Sequence, residues 1–126
     1  MSINDFGRVI RDARKETKET LLSMANALGC SVAFLSAIET GRSKIPLERI
    51  KEIEEFFTKR GYQFEEDLTS LAIIANDVLP LDGLDQQHKL LLTGFAKSNW
   101  DQEQLKRFAE FMGAMREELQ KQKKGA

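Results

Sequence analysis

Residues 20–46 read TLLSMANALGCSVAFLSAIETGRSKIP, and this stretch decides how the chain folds. Thr20 is suited to cap a short helix whose inward positions include Met24 and Leu28. Gly29 supplies the left-handed residue that closes such a helix. The stretch therefore begins with one short capped helix that is followed at once by a tight turn.

A second short helix follows that turn. Ser31 is suited to cap it, Leu35 and Ile38 face inward, and Gly41 ends it. Two short helices joined by a glycine turn of about three or four residues are the unit that lays its second helix in the DNA major groove. Other small helical proteins also join short helices by glycine turns, so the pattern leaves that alternative open.

The outward side of the second helix favours a helix-turn-helix. A solvent-facing helix is expected to carry lysine and glutamate in a chain with 31% charged residues. The outward positions here are instead small and uncharged, namely Val32, Ala33, Ser36 and Ala37. Ala25, on the preceding helix, is small where two helices must cross closely.

The same residues resemble the Xre-type, lambda-repressor-like transcriptional regulators of bacteria, phages and plasmids. The matching pieces are FGRVIRDARKE (6–16), TLLSMANALG (20–29) and SVAFLSAIETGR (31–42), of which LSAIETGR is the most specific. The resemblance covers roughly residues 3–60 and implies a DNA-binding bundle of four to five helices. Many members have glutamine at the start of the second helix, where Leu21 stands in this chain.

The resemblance also implies a DNA-binding surface. The third helix of the bundle would enter the major groove with Val32, Ala33 and Ala37 toward the base edges. Small apolar side chains contact thymine methyl groups but offer no bidentate hydrogen bond, so discrimination would depend on methyl contacts and DNA shape. Arg42 and Lys44 would bind phosphates. The full expected set is Thr20, Leu21, Ser31, Val32, Ala33, Ser36, Ala37, Thr40, Arg42 and Lys44.

Helical periodicity continues on both sides of this stretch. Apolar spacing predicts a first helix over about residues 4–17, with Arg8, Arg11 and Arg14 on the face away from the core. Pro46 suits the first turn of a fourth helix. Its predicted buried stripe is Leu47, Ile50, Ile53, Phe56 and Phe57, and Gly61 ends it.

The composition changes after Gly61, where we place a domain boundary. Residues 64–76 predict a helix with Leu68, Leu71, Ala72 and Ala75 inward, and residues 77–84 form a break because Pro80 and Gly83 disfavour a helix. Two helices follow, from the cap Asp85 to about Ser98 and from about Gln102 to Gln120. We predict a DNA-binding domain over 1–61 and a helical dimerisation or partner-binding region over 62–126.

The last of these helices begins with a clear capping signal and carries an apolar stripe. Asp101 and Gln104 are typical of a capping box, and Trp100 can pack on Leu105 as a hydrophobic staple. Alternating steps of three and four residues form a heptad seam, which here contains Leu105, Phe108, Met112, Met115 and Leu119 and is widened by Phe111. The predicted dimer interface is Leu105, Phe108, Phe111, Met112, Met115 and Leu119. The alternative is that this stripe packs only within its own subunit.

Length and charge bound the function classes. With 126 residues, the chain suits one domain or a small domain plus an extension. It has no long apolar run and no basic-then-apolar leader, so we expect a cytoplasmic protein without a membrane segment. Through Gly61 there are 11 basic and 9 acidic residues, against 8 and 11 afterwards. Because the positive field is local, DNA affinity should be modest unless two copies bind together.

The sequence shows no set of residues that is typical of a catalytic site. His88 and Cys30 are the only histidine and cysteine, which excludes an internal disulfide and most zinc sites. Glu65, Glu66 and Asp67 lie at a helix start, where the helix dipole favours acids. We expect neither an enzyme nor a cofactor.

These observations predict an all-α, cytoplasmic transcriptional regulator of double-stranded DNA. It would bind a palindromic operator as a homodimer and act as a repressor. The alternative is an antitoxin-like interaction module, whose C-terminal helices would bind a partner protein and whose DNA binding would serve autoregulation. A neighbouring reading frame for a ribonuclease-like toxin would favour that alternative.

Overall fold

A computed structural model describes residues 4–124, and this part of the chain is helical throughout apart from its turns. The helices are α1 (Asp5–Thr17), α2 (Leu21–Leu28), α3 (Val32–Glu39), a short 3₁₀ helix (Leu47–Arg49), α4 (Ile50–Thr58), α5 (Leu68–Asn76), α6 (Gln86–Lys97) and α7 (Gln102–Lys124). The predicted all-α fold class, a helix-turn-helix bundle followed by further helices, is confirmed. The chain forms two compact units, which divide between Pro80 and Leu81.

Each of the first three helices follows a polar N-cap residue, and the predicted caps Thr20 and Ser31 are confirmed. The Asn4 side chain accepts a hydrogen bond from the Gly7 backbone N–H at 2.6 Å, and Ser31 accepts one from Phe34 at 3.0 Å. Thr20 and Ser23 form a reciprocal capping box with distances of 2.9 and 3.0 Å. These bonds satisfy backbone donors that have no partner inside the helix, and so they locate the helix starts.

The turn between α2 and α3 has the geometry that defines a helix-turn-helix. Gly29 adopts a φ of 68°, and the Cys30 N–H then donates to the Ala25 carbonyl at 3.0 Å. The chain bends by 110° between α2 and α3, which lies within the usual range for this unit. A left-handed residue favours glycine, which explains the residue at this point.

The core of the first unit lies where α1, α2, α3, α4 and α5 meet. Its buried apolar side chains are Phe6, Val9, Ile10, Ala13, Met24, Ala25, Leu35, Ile38, Ile45, Ile50, Ile53, Phe56, Phe57, Leu68 and Ala72. The prediction that Arg14 faces away from the core is wrong, because Arg14 is only 8% exposed. Its charge is compensated inside the core by the carboxylate of Glu39.

The fourth helical segment starts differently from the prediction. Pro46 precedes a 3₁₀ turn, and α4 itself begins at Ile50. Leu47 is therefore half-buried, while the other four residues of the predicted stripe are buried. Arg49 donates from Nη1 to the Leu28 carbonyl at 3.0 Å, so the segment also satisfies the end of α2.

Helix α5 begins at Leu68, four residues later than the sequence indicated. The Tyr62 and Phe64 rings precede it and pack edge to face with Phe57 at centroid distances of 6.0 and 5.3 Å. Ala75, which we predicted to face inward, is exposed. Because Leu68 and Ala72 of α5 are buried in the core, the first compact unit extends beyond the boundary that we placed at residue 61.

The second unit contains α6 and α7, whose ring contacts are made by Phe95, Trp100 and Phe108. The Trp100 ring lies 6.0 Å from Phe95 and 4.8 Å from Phe108, and its Nε1 donates to the Phe95 carbonyl at 3.0 Å. The capping box at the start of α7 is present, with Asp101 and Gln104 joined at 3.0 and 2.8 Å. Over residues 81–123, whose burial is described, no side chain is buried.

None of the helices within residues 4–124 is, taken singly, long and apolar enough to cross a membrane. One pair, α2 with α3, reaches that length and composition together across its 110° bend. Both helices contribute side chains to the core of the first unit.

Candidate nucleic-acid interface

Helix α3 has one buried and one outward side. Leu35, Ile38 and Glu39 are at most 2% exposed. On the outward side, Ser31, Val32 and Ala33 are exposed, and Ser36, Ala37 and Thr40 are half-buried. The six residues predicted for this helix and its two ends therefore all reach the surface. Their side chains are small and uncharged, so a binding partner can approach the helix backbone closely.

A buried ion pair fixes the C-terminal end of α3. Arg14 of α1 binds both carboxylate oxygens of Glu39, with Nη1–Oε2 at 2.7 Å and Nη2–Oε1 at 2.9 Å. The Asn4 backbone N–H and side-chain amide donate to the carbonyls of Glu39 and Ile38, each at 3.0 Å. Bidentate arginine–carboxylate pairs impose geometry as well as attraction. The orientation of α3 is therefore set from its buried side, and the outward side is left free.

The start of α2 carries a negative charge. Glu19 accepts a hydrogen bond from the Ser23 hydroxyl and pairs with Arg60 at 2.6 Å. These two partners lower the pKa of the Glu19 carboxyl below its ordinary value. Thr20 is exposed, and Leu21 is half-buried against the core. The Glu19–Arg60 ion pair lies next to this helix start. Thr20 and Leu21 stay predicted phosphate contacts.

Arg42 lies against the outward side of α3. Its Nη2 donates to the Ser36 hydroxyl at 3.2 Å, and its Nε donates to the Thr40 hydroxyl at 3.3 Å. The Arg42 backbone N–H also donates to the Ala37 carbonyl at 3.0 Å, one turn back in α3. The sequence placed Arg42 beyond the helix, beside the DNA backbone. The structure brings its guanidinium together with Ser36 and Thr40, which were expected near either the phosphates or the bases.

Lys44 points to α5 and not along α3. Its Nζ donates to the Asn76 carbonyl at 3.4 Å. The Asn76 side chain accepts from the Ile45 N–H at 2.7 Å and donates to the Ile45 carbonyl at 2.9 Å. Sequence reasoning missed Asn76, because an asparagine at a helix end has many possible roles. Its double hydrogen bond fixes the segment that follows α3.

Two further features concern the reactivity of the Cys30 thiol and the grouping of possible metal ligands. Partial burial raises the pKa of the Cys30 thiol, so the reactive thiolate is disfavoured at neutral pH. Within residues 4–124, no three His, Cys, Asp or Glu side chains are grouped so that they could hold a metal ion.

The predicted dimer residues lie on α7 in the second unit. Most are well exposed: Leu105 36%, Phe111 63%, Met112 50%, Met115 45% and Leu119 56%. Phe108 is half-buried, because its ring packs on Phe95 at 5.2 Å and on Trp100. Helix α6 adds Leu90 and Leu91 as exposed large apolar residues.

Comparison with known families identifies the class of domain that this geometry defines. A family model described as helix-turn-helix matches residues 10–60, from the middle of α1 to the residues just after α4. The match shows that this segment is similar to the helix-turn-helix domains that bind DNA, as the resemblance in sequence indicated. No curated protein and no solved structure gives a significant match to the chain.

Proposed function

We propose that the protein is a sequence-specific transcriptional regulator that acts in the cytoplasm as a homodimeric repressor on a palindromic operator. The observation that carries this proposal is the outward side of α3. Its residues are small and uncharged, Arg42 lies against Ser36 and Thr40, and the buried Arg14–Glu39 pair holds the opposite side of the helix. Such a surface suits entry of a helix into the major groove.

In the proposed complex, Val32, Ala33 and Ala37 face the base edges, where their methyl groups can contact thymine. Lys44 is the phosphate contact that follows the helix. Its hydrogen bond to the Asn76 carbonyl is long at 3.4 Å, and a phosphate offers a lysine a stronger, charge-assisted bond. Lys44 can therefore exchange that carbonyl for a phosphate at little cost.

The second unit supports the homodimer. A two-helix unit in which no described residue is buried lacks a core of its own, and exposed apolar patches of this kind mark interaction sites. Pairing through the heptad-spaced residues of α7 would bury Met112, Met115 and Leu119. The occupant that we propose is a second copy of α7, because the stripe repeats with the three- and four-residue steps of a self-complementary coiled-coil seam.

Two copies are also needed for useful affinity. One recognition unit of weak net charge binds non-specific DNA with a Kd of about 10⁻⁴–10⁻⁶ M. Joining two units places two recognition helices about 34 Å apart on one face of the duplex. We propose that residues 1–61 bind DNA and that α5 completes the core of this part. The dimer contact would then lie in the helices that follow α5. Occupying an operator that overlaps a promoter is sufficient for repression.

Selection of binding sites from random DNA tests the proposal. We expect the wild-type protein to enrich a palindrome and Ala33→Glu to enrich nothing, because the new carboxylate would face the DNA phosphates. Ala27→Glu is the matched control, since Ala27 is an exposed residue on α2, and it should enrich the same palindrome. Failure of the wild-type protein to enrich any sequence would refute sequence-specific binding.

Light scattering on the free protein tests the homodimer separately. A dimer mass is the expected result. A monomer that nevertheless enriches single half-sites would favour the interaction-module alternative, in which the apolar stripe of α7 binds a different protein.

A further inference from the structure

We propose that Arg42 determines specificity by reading a guanine through a bidentate hydrogen bond, and that it is not one more phosphate contact. This inference rests on the proposed function of α3 as the helix that reads DNA. It also supplies a bidentate donor, which Val32, Ala33 and Ala37, the residues expected to face the base edges, lack.

The hydroxyls of Ser36 and Thr40 hold the Arg42 side chain in place. Ser36 lies on α3 and Thr40 directly follows it, four residues later, and their hydroxyls accept from Nη2 at 3.2 Å and Nε at 3.3 Å. The Thr40 hydroxyl gives its own proton to the Ser36 carbonyl at 2.8 Å, so its oxygen is free to accept from Arg42. These two bonds place the guanidinium on the outward side of the helix before any DNA is bound.

The hydrogen bonds to Ser36 and Thr40 use one edge of the Arg42 guanidinium and leave its other edge open. The hydroxyls take the N–H groups of Nε and Nη2, which lie side by side along that edge. In the part of the chain that the structure describes, Nη1 has no hydrogen-bond partner. The Nη1 and Nη2 protons at the far end form the fork that matches the O6 and N7 acceptors of guanine. The open edge is thus the one that a base can use.

Lys44 provides the contrast within the same segment. Its ammonium points to the Asn76 carbonyl on α5, away from Ser36 and Thr40. A phosphate contact needs only a nearby positive charge, and Lys44 meets that need. A fixed planar fork on the outward side of α3 is suited to a directional acceptor pair, because an arginine that is already ordered loses little side-chain entropy on binding.

Binding to the selected operator and to its single-base variants tests the inference with Arg42→Lys. Lysine keeps the charge but lacks the planar fork, so the preference for one G·C pair in each half-site should fall by about 5- to 150-fold. The salt dependence of binding should not change. Lys44→Ala is the control. It should weaken binding to all sequences alike and reduce the log–log salt slope by about one unit.

Thr40→Val gives a second test, because it removes the hydroxyl that positions Arg42 and keeps the shape of the side chain. The same G·C preference should weaken, whereas Thr40→Ser should retain it. An Arg42→Lys variant with the wild-type base preference at every position would overturn the inference and make Arg42 a phosphate contact. That outcome differs from failure of the proposed function, in which the wild-type protein itself selects no sequence.

Discussion

Arg14 of α1 and Glu39 of α3 form a bidentate ion pair inside the core, with both side chains at most 9% exposed. They are 25 residues apart in the chain, so the pair joins the first helix to the end of the proposed recognition helix. Arg11 approaches the same carboxylate at 3.6 Å from the surface. A buried pair of this kind contributes geometry more reliably than net stability.

Glu39→Gln should therefore be strongly destabilising. The amide cannot neutralise Arg14, and leaving one buried charge without its partner costs about 3–5 kcal/mol. Urea unfolding followed by circular dichroism measures the change. The double variant Arg14→Met with Glu39→Leu is the control and should lose much less stability, because it buries no charge. Equal losses in the two proteins would show that packing, and not charge, makes this site sensitive.

Asn76→Ala should loosen the segment after α3. It removes both hydrogen bonds to Ile45, whose side chain is only 2% exposed. An unsatisfied buried polar group costs about 1–3 kcal/mol. Asn76→Asp keeps the acceptor but not the donor, so its stability should lie between that of the wild-type protein and that of Asn76→Ala. Amide hydrogen exchange at Ile45 reports the effect directly, and unchanged protection in Asn76→Ala would mean that the amide is not what holds the segment.

Ala37→Glu should abolish operator binding and leave the fold intact. Ala37 is half-buried on the outward side of α3, next to the buried Ile38. A carboxylate there would clash with the groove and repel phosphates. Gel-shift titration measures binding, and the Tm should stay within about 3 °C because surface substitutions change stability little. A variant that unfolds would instead place the Ala37 side chain in the core.

Met112→Glu with Met115→Glu should give a monomer. Pairing through α7 would bury both new charges, at a cost of several kcal/mol. The variant should remain folded in its first unit and bind a full palindrome no better than a half-site. Ala114→Glu with Gln120→Glu adds the same charge at exposed positions off the stripe and should stay dimeric. If the methionine variant also stays dimeric in light scattering, the subunits are joined elsewhere, and the segment around residues 68–84 is the next candidate.

Local chemistry made much of the first unit predictable. The predicted caps Thr20 and Ser31 each have a short-range partner, and Gly29 has a backbone conformation that favours glycine. Such signals act over three or four residues, so they can be read without knowledge of the fold. The buried stripes of α1 and α4 were predictable for the same reason, since helical periodicity is itself local.

What the sequence did not predict depends on side-chain contacts that the local pattern does not reveal. An arginine at the position of Arg14 indicates an exposed face unless Glu39 is known to lie opposite. The late start of α5 depends on Tyr62 and Phe64 packing on Phe57, which holds the preceding residues outside the helix. The contacts of Arg42 with Ser36 and Thr40 were also not predicted, because helical periodicity and capping signals do not specify side-chain conformations.

The lack of any buried side chain over residues 81–123 has a consequence for the lifetime of the protein. Helices without a core open readily, and open backbone is what proteases cleave. Pairing of α7 helices would protect this segment, so an unpaired chain would be degraded faster than a paired one. As synthesis raises the number of chains, a larger share would be paired and turnover would slow. The level of the regulator would then respond to its rate of synthesis more steeply than in simple proportion.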